Sequence, residues 1–225
     1  MQLEGSAFAG QIIQEGWMKA YTPQTFDHLK GLDGISDAQL AEHFKLYEGY
    51  VKQVNSLNEQ LDDIVRKGKP SGTNPTFAEL TRHLGFEYNG MILHEYYFSN
   101  LKRAADPAPG KGSGLAKALE QNFGSVDYWK ADFEAIGGMR GVGWAVLFED
   151  PVTSRLVNNW ISLHQDGPPT GFKPLLVMDV WEHAFMRDYK ATEKAQYIQA
   201  FFRNVDWQSV ERRLNERAAI RPAAA

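Results

Sequence analysis

The sequence contains no cysteine. Disulfides, thiolate metal sites and thiol nucleophiles are excluded together, so any metal must sit on nitrogen and oxygen ligands. It also lacks an excess of basic charge: 24 Lys and Arg against 28 Asp and Glu leave a formal charge of −4. That balance offers no basic face to displace the counterions of a nucleic acid, and no nucleic-acid partner is expected. Long apolar runs are missing as well, with nothing approaching the ~20 residues that cross a bilayer. The opening MQLEGSAFAGQIIQEG carries an early acidic residue and no basic region ahead of an apolar stretch, so it does not read as a secretory signal. These absences set the expectation of a soluble, cytoplasmic protein with no membrane partner.

What is present is an ordinary globular balance, 43% hydrophobic and 23% charged over 225 residues. A chain of that length can bury a core without staples, as one large domain or two small ones. Ser36, with Gln39 three residues on, makes a capping box ahead of apolar positions at Leu40, Phe44, Tyr47, Val51, Val54, Leu57 and Leu61, which predicts a long helix. The turn-rich Lys67-Gly-Lys-Pro-Ser-Gly-Thr-Asn-Pro75 ends it, and a second helix is expected from about Thr76 to Arg103. Two long helices on a short link form an antiparallel hairpin. After the Asp106–Gly114 linker, two shorter helices are predicted, one starting at Gly114 and one over Ser125–Ile136, split by Gly124. Strand character follows at Trp144–Glu149, Arg155–Leu163 and Phe172–Val180, then helices over Thr192–Phe202 and Trp207–Ala218 and a fraying Arg-Pro-Ala-Ala-Ala tail. The expected class is α+β: a helical hairpin over 1–105, then a mixed domain over 106–225 with a three-stranded antiparallel sheet flanked by helices.

Of the six histidines, His28 and His83 have no partner at a useful spacing. Asp179 and His183 stand four apart in an aromatic, apolar segment, a spacing that lets an oxygen and a nitrogen converge on one iron or manganese ion. The same spacing also fits Asp179 as the cap of a short helix, with His183 merely packed. His43 and His94 lie on the two long helices, and facing helices of a hairpin commonly build a metal site between them. Together the four would supply three nitrogens and one carboxylate oxygen, leaving a position for a small ligand.

The segment Asp179-Val-Trp-Glu-His-Ala-Phe resembles the D-V-W-E-H-A-Y signature of the iron/manganese superoxide dismutase family. Gly141-Val-Gly-Trp-Ala-Val-Leu, His94-Glu-Tyr-Tyr-Phe-Ser-Asn-Leu and Val205-Asp-Trp-Gln-Ser-Val are similar to its other motifs, and the likeness runs from about Tyr21 to Leu214. The resemblance implies superoxide as substrate, one manganese or iron ion per chain between the two domains, and a homodimer or tetramer. It assigns His43, His94, Asp179 and His183 as metal ligands, Tyr50 as the gateway tyrosine, and Gln165 as the amide beyond the ligands that tunes the centre. Gly90 together with Gln165 implies the manganese type. Trp144 and Trp181 would line a dry shell, Glu182 would reach the partner subunit's ligand, and Tyr189 would face the partner as well.

The departures concentrate in the first helix. The family's second histidine, four after the first ligand, is here Tyr47, and the tyrosine expected eight after it, Tyr50, is only seven after His43. One lost residue would remove a bulge and leave a regular helix that keeps Tyr50 on the ligand face. Aligning backward from Tyr50 would instead place Glu42 at the ligand position. His164 stands where an asparagine usually precedes the glutamine, and Val146 replaces a tryptophan. With a net charge of −4, an anionic substrate needs a local positive entrance, for which Lys45 and Lys190 are candidates. The alternative function is a relative of the same fold with weak or no dismutase activity, serving as a structural or metal-binding protein.

Overall fold

Ser36, in extended conformation, starts the longest helix, α1 (Asp37–Arg66), by accepting the Gln39 amide on its hydroxyl at 3.0 Å. The capping box is only half made. Ser36 turns its own amide and hydroxyl to the Asp188 carboxylate, at 2.7 and 2.6 Å, which frees the Gln39 side chain for another task. α1 is α-helical throughout, without a bulge. Its buried stripe of Leu40, His43, Tyr47, Val51, Val54 and Leu57 sets an imidazole among apolar side chains on the inner face. The computed structural model describes residues 19–216; the opening stretch examined for a signal and the alanine tail lie outside them.

Asn74 caps the second helix, α2 (Pro75–Ser99), through the Thr76 amide at 2.9 Å, with Pro75 in the first turn where its missing N–H is not needed. α1 and α2 pack as the expected hairpin. The sequence predicts α2 to continue to Arg103, but it stops at Ser99. Tertiary bonds divert the chain there: buried Asn100 donates Nδ2 to the Val177 carbonyl at 2.5 Å, and its Oδ1 accepts from Arg213. Leu101 then pairs with Val205 in an isolated bridge.

Ser113 and Ser125 cap α3 (Gly114–Phe123) and α4 (Val126–Gly137), with Gly124 at φ 89° breaking the chain between them. Strands β1 (Gly143–Glu149), β2 (Leu156–Ser162) and β3 (Lys173–Asp179) form an antiparallel sheet in the order β2-β1-β3. The central β1 is buried from Gly143 to Phe148: α4 lies against β1 and β2, and α2 against β3. α5 (Lys194–Arg203) and α6 (Trp207–Asn215) close the mixed part, so the α+β architecture is as expected. Two features position the site: α2 lies on β3, and the chain leaves β3 at Asp179 into a short 3-10 turn, Glu182–Ala184, that touches α1.

Arg213 completes the joint at Asn100. It donates Nη1 to the Leu175 carbonyl at 2.8 Å and Nη2 to Ser99 Oγ at 2.6 Å, with its guanidinium over the Tyr96 ring. Asn100→Ala therefore strands a buried carbonyl and one guanidinium N–H, with an expected loss of about 2 kcal/mol. Denaturant unfolding would show a lower midpoint at unchanged slope; an unmoved midpoint would mean that both groups find other partners.

Candidate metal centre

Four side chains from four elements of the fold converge. α1 supplies His43, α2 supplies His94, the last residue of β3 is Asp179, and the turn after it carries His183. One donor atom from each lies within 4.8 Å of every other. Asp179 Oδ2 is the hub, 3.1 Å from Nε2 of both His43 and His183 and 3.6 Å from Nε2 of His94. Its Oδ1 accepts the Trp181 amide at 2.8 Å, so Asp179 caps the following turn and faces the histidines at once. The two readings open at the sequence level are compatible because a carboxylate has two oxygens.

His94 carries the clearest sign that the cluster is built for an ion. Its Nδ1 lies 2.6 Å from the Gly90 carbonyl, which fixes the proton there and leaves Nε2 as a bare lone pair. That Nε2 is buried and has no hydrogen-bond partner among the described residues. An unpartnered nitrogen facing a carboxylate is costly by itself and is satisfied by a cation. Three imidazole nitrogens and one carboxylate oxygen, without thiolate, suit iron or manganese.

The electrostatics agree with that donor set. Burial lowers His43 below its usual 6.5 despite the Asp179 carboxylate beside it, and burial together with His43 lowers His94 further. Both rings are therefore neutral near neutral pH. Burial by itself would raise Asp179, but the His183 and His43 rings at its oxygens hold it well below the usual carboxylate range. The cluster is thus one buried carboxylate ringed by three imidazoles. Trp144 meets His94 edge to face at 5.0 Å, Phe98 meets His43 at 4.9 Å, and Trp181 stacks on His183 at 5.6 Å, forming a largely apolar wall.

Glu42 does not join the cluster: it is exposed and pairs with Arg187, while its neighbour His43 turns inward. Tyr50 does reach the centre. The seven-residue step along a regular helix brings its ring to 5.1 Å from that of His94. Gly90 makes the room, since a Cβ there would come within 2.7 Å of the Tyr50 ring. Tyr47, in the histidine position, points elsewhere: its hydroxyl accepts the Gln24 amide at 2.9 Å and donates to Glu95 Oε1 at 2.8 Å.

Gln165 corrects the sequence-based expectation. It is exposed, and its Oε1 has only the His164 amide at 3.4 Å. His164 enters instead, fully buried, because the turn closed by paired Ser162 and Asp166 sends successive side chains to opposite sides. Leu163 takes φ 50° to make that turn, a left-handed conformation that a leucine rarely adopts. Trp144 Nε1 donates to His164 Nδ1 at 3.1 Å, so the neutral ring carries its proton on Nε2, 2.7 Å from the Tyr50 hydroxyl. Tyr189, expected to face a partner, donates its hydroxyl to the Gly34 carbonyl of its own chain at 2.6 Å. Gln39 was legible only as half of a cap; its actual partners are the backbone of the His183 turn.

Residues 111–213 match the family model described as iron/manganese superoxide dismutases, C-terminal domain. The chain is 36% identical over 195 residues to an iron superoxide dismutase of Aquifex pyrophilus, covering 84% of this chain and 90% of that one. It is 37% identical to an iron superoxide dismutase of Cupriavidus metallidurans, covering 86% of this chain and 91% of the relative. A manganese superoxide dismutase of Mycolicibacterium fortuitum is 34% identical, with 87% and 93% covered.

The buried imidazoles predict an acid-side loss of stability. Burial pushes His164 down to about 4 from 6.5, and His43 and His94 are lowered too, so the unfolded chain takes up protons first as pH falls. Their contribution is complete above about pH 6.5 and declines as pH drops toward the folded values. His164→Gln, which cannot titrate, should flatten that decline between pH 6.5 and about 4 in denaturant titrations. An unchanged slope would assign the decline to other groups.

Proposed function

Because the chain belongs to the iron/manganese superoxide dismutase family, it is a superoxide dismutase, and we propose that His43, His94, Asp179 and His183 hold its single iron or manganese ion. One observation carries this reading: four donor atoms within 4.8 Å, one of them the unpartnered, buried Nε2 of His94. Bound there, iron or manganese supplies a one-electron couple that turns one superoxide into dioxygen and a second, with two protons, into hydrogen peroxide.

The chain's own residues set the conditions for that chemistry. Asp179 offers a cation one negative charge, and His43 and His94 meet it as neutral imidazoles. Tyr50 delivers protons, and His164 orients its hydroxyl. Burial raises the Tyr50 hydroxyl and lowers the His164 ring, so both remain neutral donors over the physiological range. Trp144 occupies His164 Nδ1 and so commits the only ring proton to Tyr50, leaving the Tyr50 hydroxyl hydrogen free to be passed on. The implied manganese preference rested on Gly90 together with Gln165. With Gln165 outside, Gly90 serves to seat Tyr50, and iron and manganese stand as equals. Exposed Lys45 and Lys190 are the cations proposed to draw in the anion.

Elemental analysis of the same sample assayed for superoxide removal tests this reading. About one iron or manganese per chain is expected, with activity proportional to occupancy and both lost in His94→Ala. Tyr50→Phe should keep the metal and slow turnover by up to roughly 10²-fold, the low end for a positioned proton donor. A fully metallated, inactive wild-type protein would instead favour the inactive relative of the same fold.

The reading carries a homodimer or tetramer and a cytoplasmic location with it. Supporting the dimer, a cavity of about 580 Å³ opens beside His183, lined by Gln39, Glu42, Leu46, Glu182, Met186 and Arg187. Met186 is 48% exposed there, and Glu182 projects next to a ligand that is itself only partly covered. Among the described residues no helix is long and apolar enough to cross a membrane. Recovery of the protein from an envelope or secreted fraction would count against the cytoplasmic assignment. Glu182→Ala should weaken dimerisation and lower metal content together; sedimentation showing a stable, fully metallated dimer would sink the cross-subunit role of Glu182.

A further inference from the structure

Gln39 lies one helical turn before His43 on the same face of α1 and is 2% exposed. Its amide is used at both ends. Nε2 donates to the His183 carbonyl at 2.6 Å, and Oε1 accepts the Arg187 amide at 3.1 Å. Both partners belong to the turn that presents His183. That turn's own backbone bonds run from the amides of Ala184, Phe185 and Met186 to Trp181 and Glu182, and leave the His183 carbonyl and the Arg187 amide over. A primary amide is the side chain that meets this demand, with a donor and an acceptor side by side. Two further ties join the same pieces, Ser36 to Asp188 and Glu42 to Arg187, but they are exposed and worth little by themselves.

α1 therefore does two things with adjacent turns. It supplies His43, and through Gln39 it fixes the backbone from which His183 projects. The result is visible in the cluster, where His43 and His183 approach the same Asp179 oxygen at 3.1 Å each, their rings 5.1 Å apart. Asp179 ends β3 and His183 follows it, far along the chain from α1, and Gln39 is the buried side-chain bond from α1 to the backbone of the His183 turn.

We propose that Gln39 is a positioning residue for the metal centre: by clamping the His183 turn to α1 it sets the His43–His183 separation before an ion arrives. The inference rests on the reading of the four residues as metal ligands. It predicts that losing the clamp weakens metal retention beyond its effect on the fold, in the range of 10–100-fold seen when groups supporting metal ligands are removed.

The test uses the full-length protein with Gln39→Glu, which keeps the shape and an acceptor but turns the donor into a second acceptor against the His183 carbonyl. Gln39→Met, of similar volume with no polar atoms, covers the case in which the glutamate variant does not fold. Asn204→Ala is the control, a buried amide whose bonds to the Asp33 and Ala200 carbonyls lie away from the cluster. Two readouts are taken: the rate at which bound manganese or iron is lost to a chelator, and the rise in thermal midpoint that the metal causes. Gln39 variants are expected to lose metal at least tenfold faster and to show a smaller rise, while Asn204→Ala lowers the metal-free midpoint and keeps the wild-type loss rate. Wild-type loss rates in the Gln39 variants, with only a lower metal-free midpoint, would reduce Gln39 to a fold contact and overturn the proposal. Failure of the ligand reading looks different: the wild type would gain no midpoint from metal, or His94→Ala would gain as much as the wild type.

Discussion

A carboxylate with no access to water sits at the end of β3, and the rest of the architecture is arranged around its charge. Taking an ion of that size out of water costs several kcal/mol even after relaxation, so a buried Asp179 survives only if its neighbours repay the loss. One oxygen is satisfied locally by the Trp181 amide, which uses the bend after β3. The other is left to His43 and His183, with His94 close behind. These groups come from α1, α2 and the turn after the strand, so the helical hairpin cannot separate from the sheet without stranding a buried anion. A bound cation fits the same logic, since it supplies His94 Nε2 with the partner that no group among the described residues provides.

The elements around this anion hold it with ordinary devices. Asn100 stops α2 where its side chain can bond β3, which fixes the helix bearing His94 against the strand bearing Asp179. Gln39 does the equivalent for α1 and the His183 turn. In both cases a buried primary amide spans two elements with backbone partners on the far side, a bond that cannot be made in an unfolded chain at low entropic cost. Hydrophobic burial brings the elements together; the amides choose the register in which the four side chains meet.

How much of this is legible in sequence depends on the range of the interaction concerned. Serines at 36, 113 and 125 and the asparagine at 74 cap helices through amides two or three residues away, so their signals are local and the helix starts fall where expected. The end of α2 was set by Val177 and Arg213, far away in the chain, and nothing between Ser99 and Arg103 announces it. Gln39 was misread for a related reason: Ser-x-x-Gln is a capping box on paper, and only the arrival of Asp188 at Ser36 shows that the glutamine is free. The inversion of His164 and Gln165 was decided by a single backbone angle at Leu163, which residue identities do not reveal. The cluster of four was legible because its spacing survives in the chain, whereas the groups around it depend on which way a turn faces.

The substitutions near the centre then form one unit. A regular α1 rotates residue 47 toward Gln24 and Glu95 and brings residue 50 over His94, so the histidine-to-tyrosine change at 47 falls where no imidazole would face the cluster. The ring at 50 needs the space that Gly90 leaves. Its hydroxyl then meets an imidazole at 164 rather than an amide, and the two are not equivalent. A side-chain amide has two N–H groups and can donate in two directions, whereas a neutral imidazole has one proton and one lone pair. Because Trp144 can only donate, the lone pair is committed to it, and the ring proton must go to Tyr50. His164 has nothing further to give while those bonds stand, which makes the Tyr50 hydroxyl the terminus of that hydrogen-bonded chain.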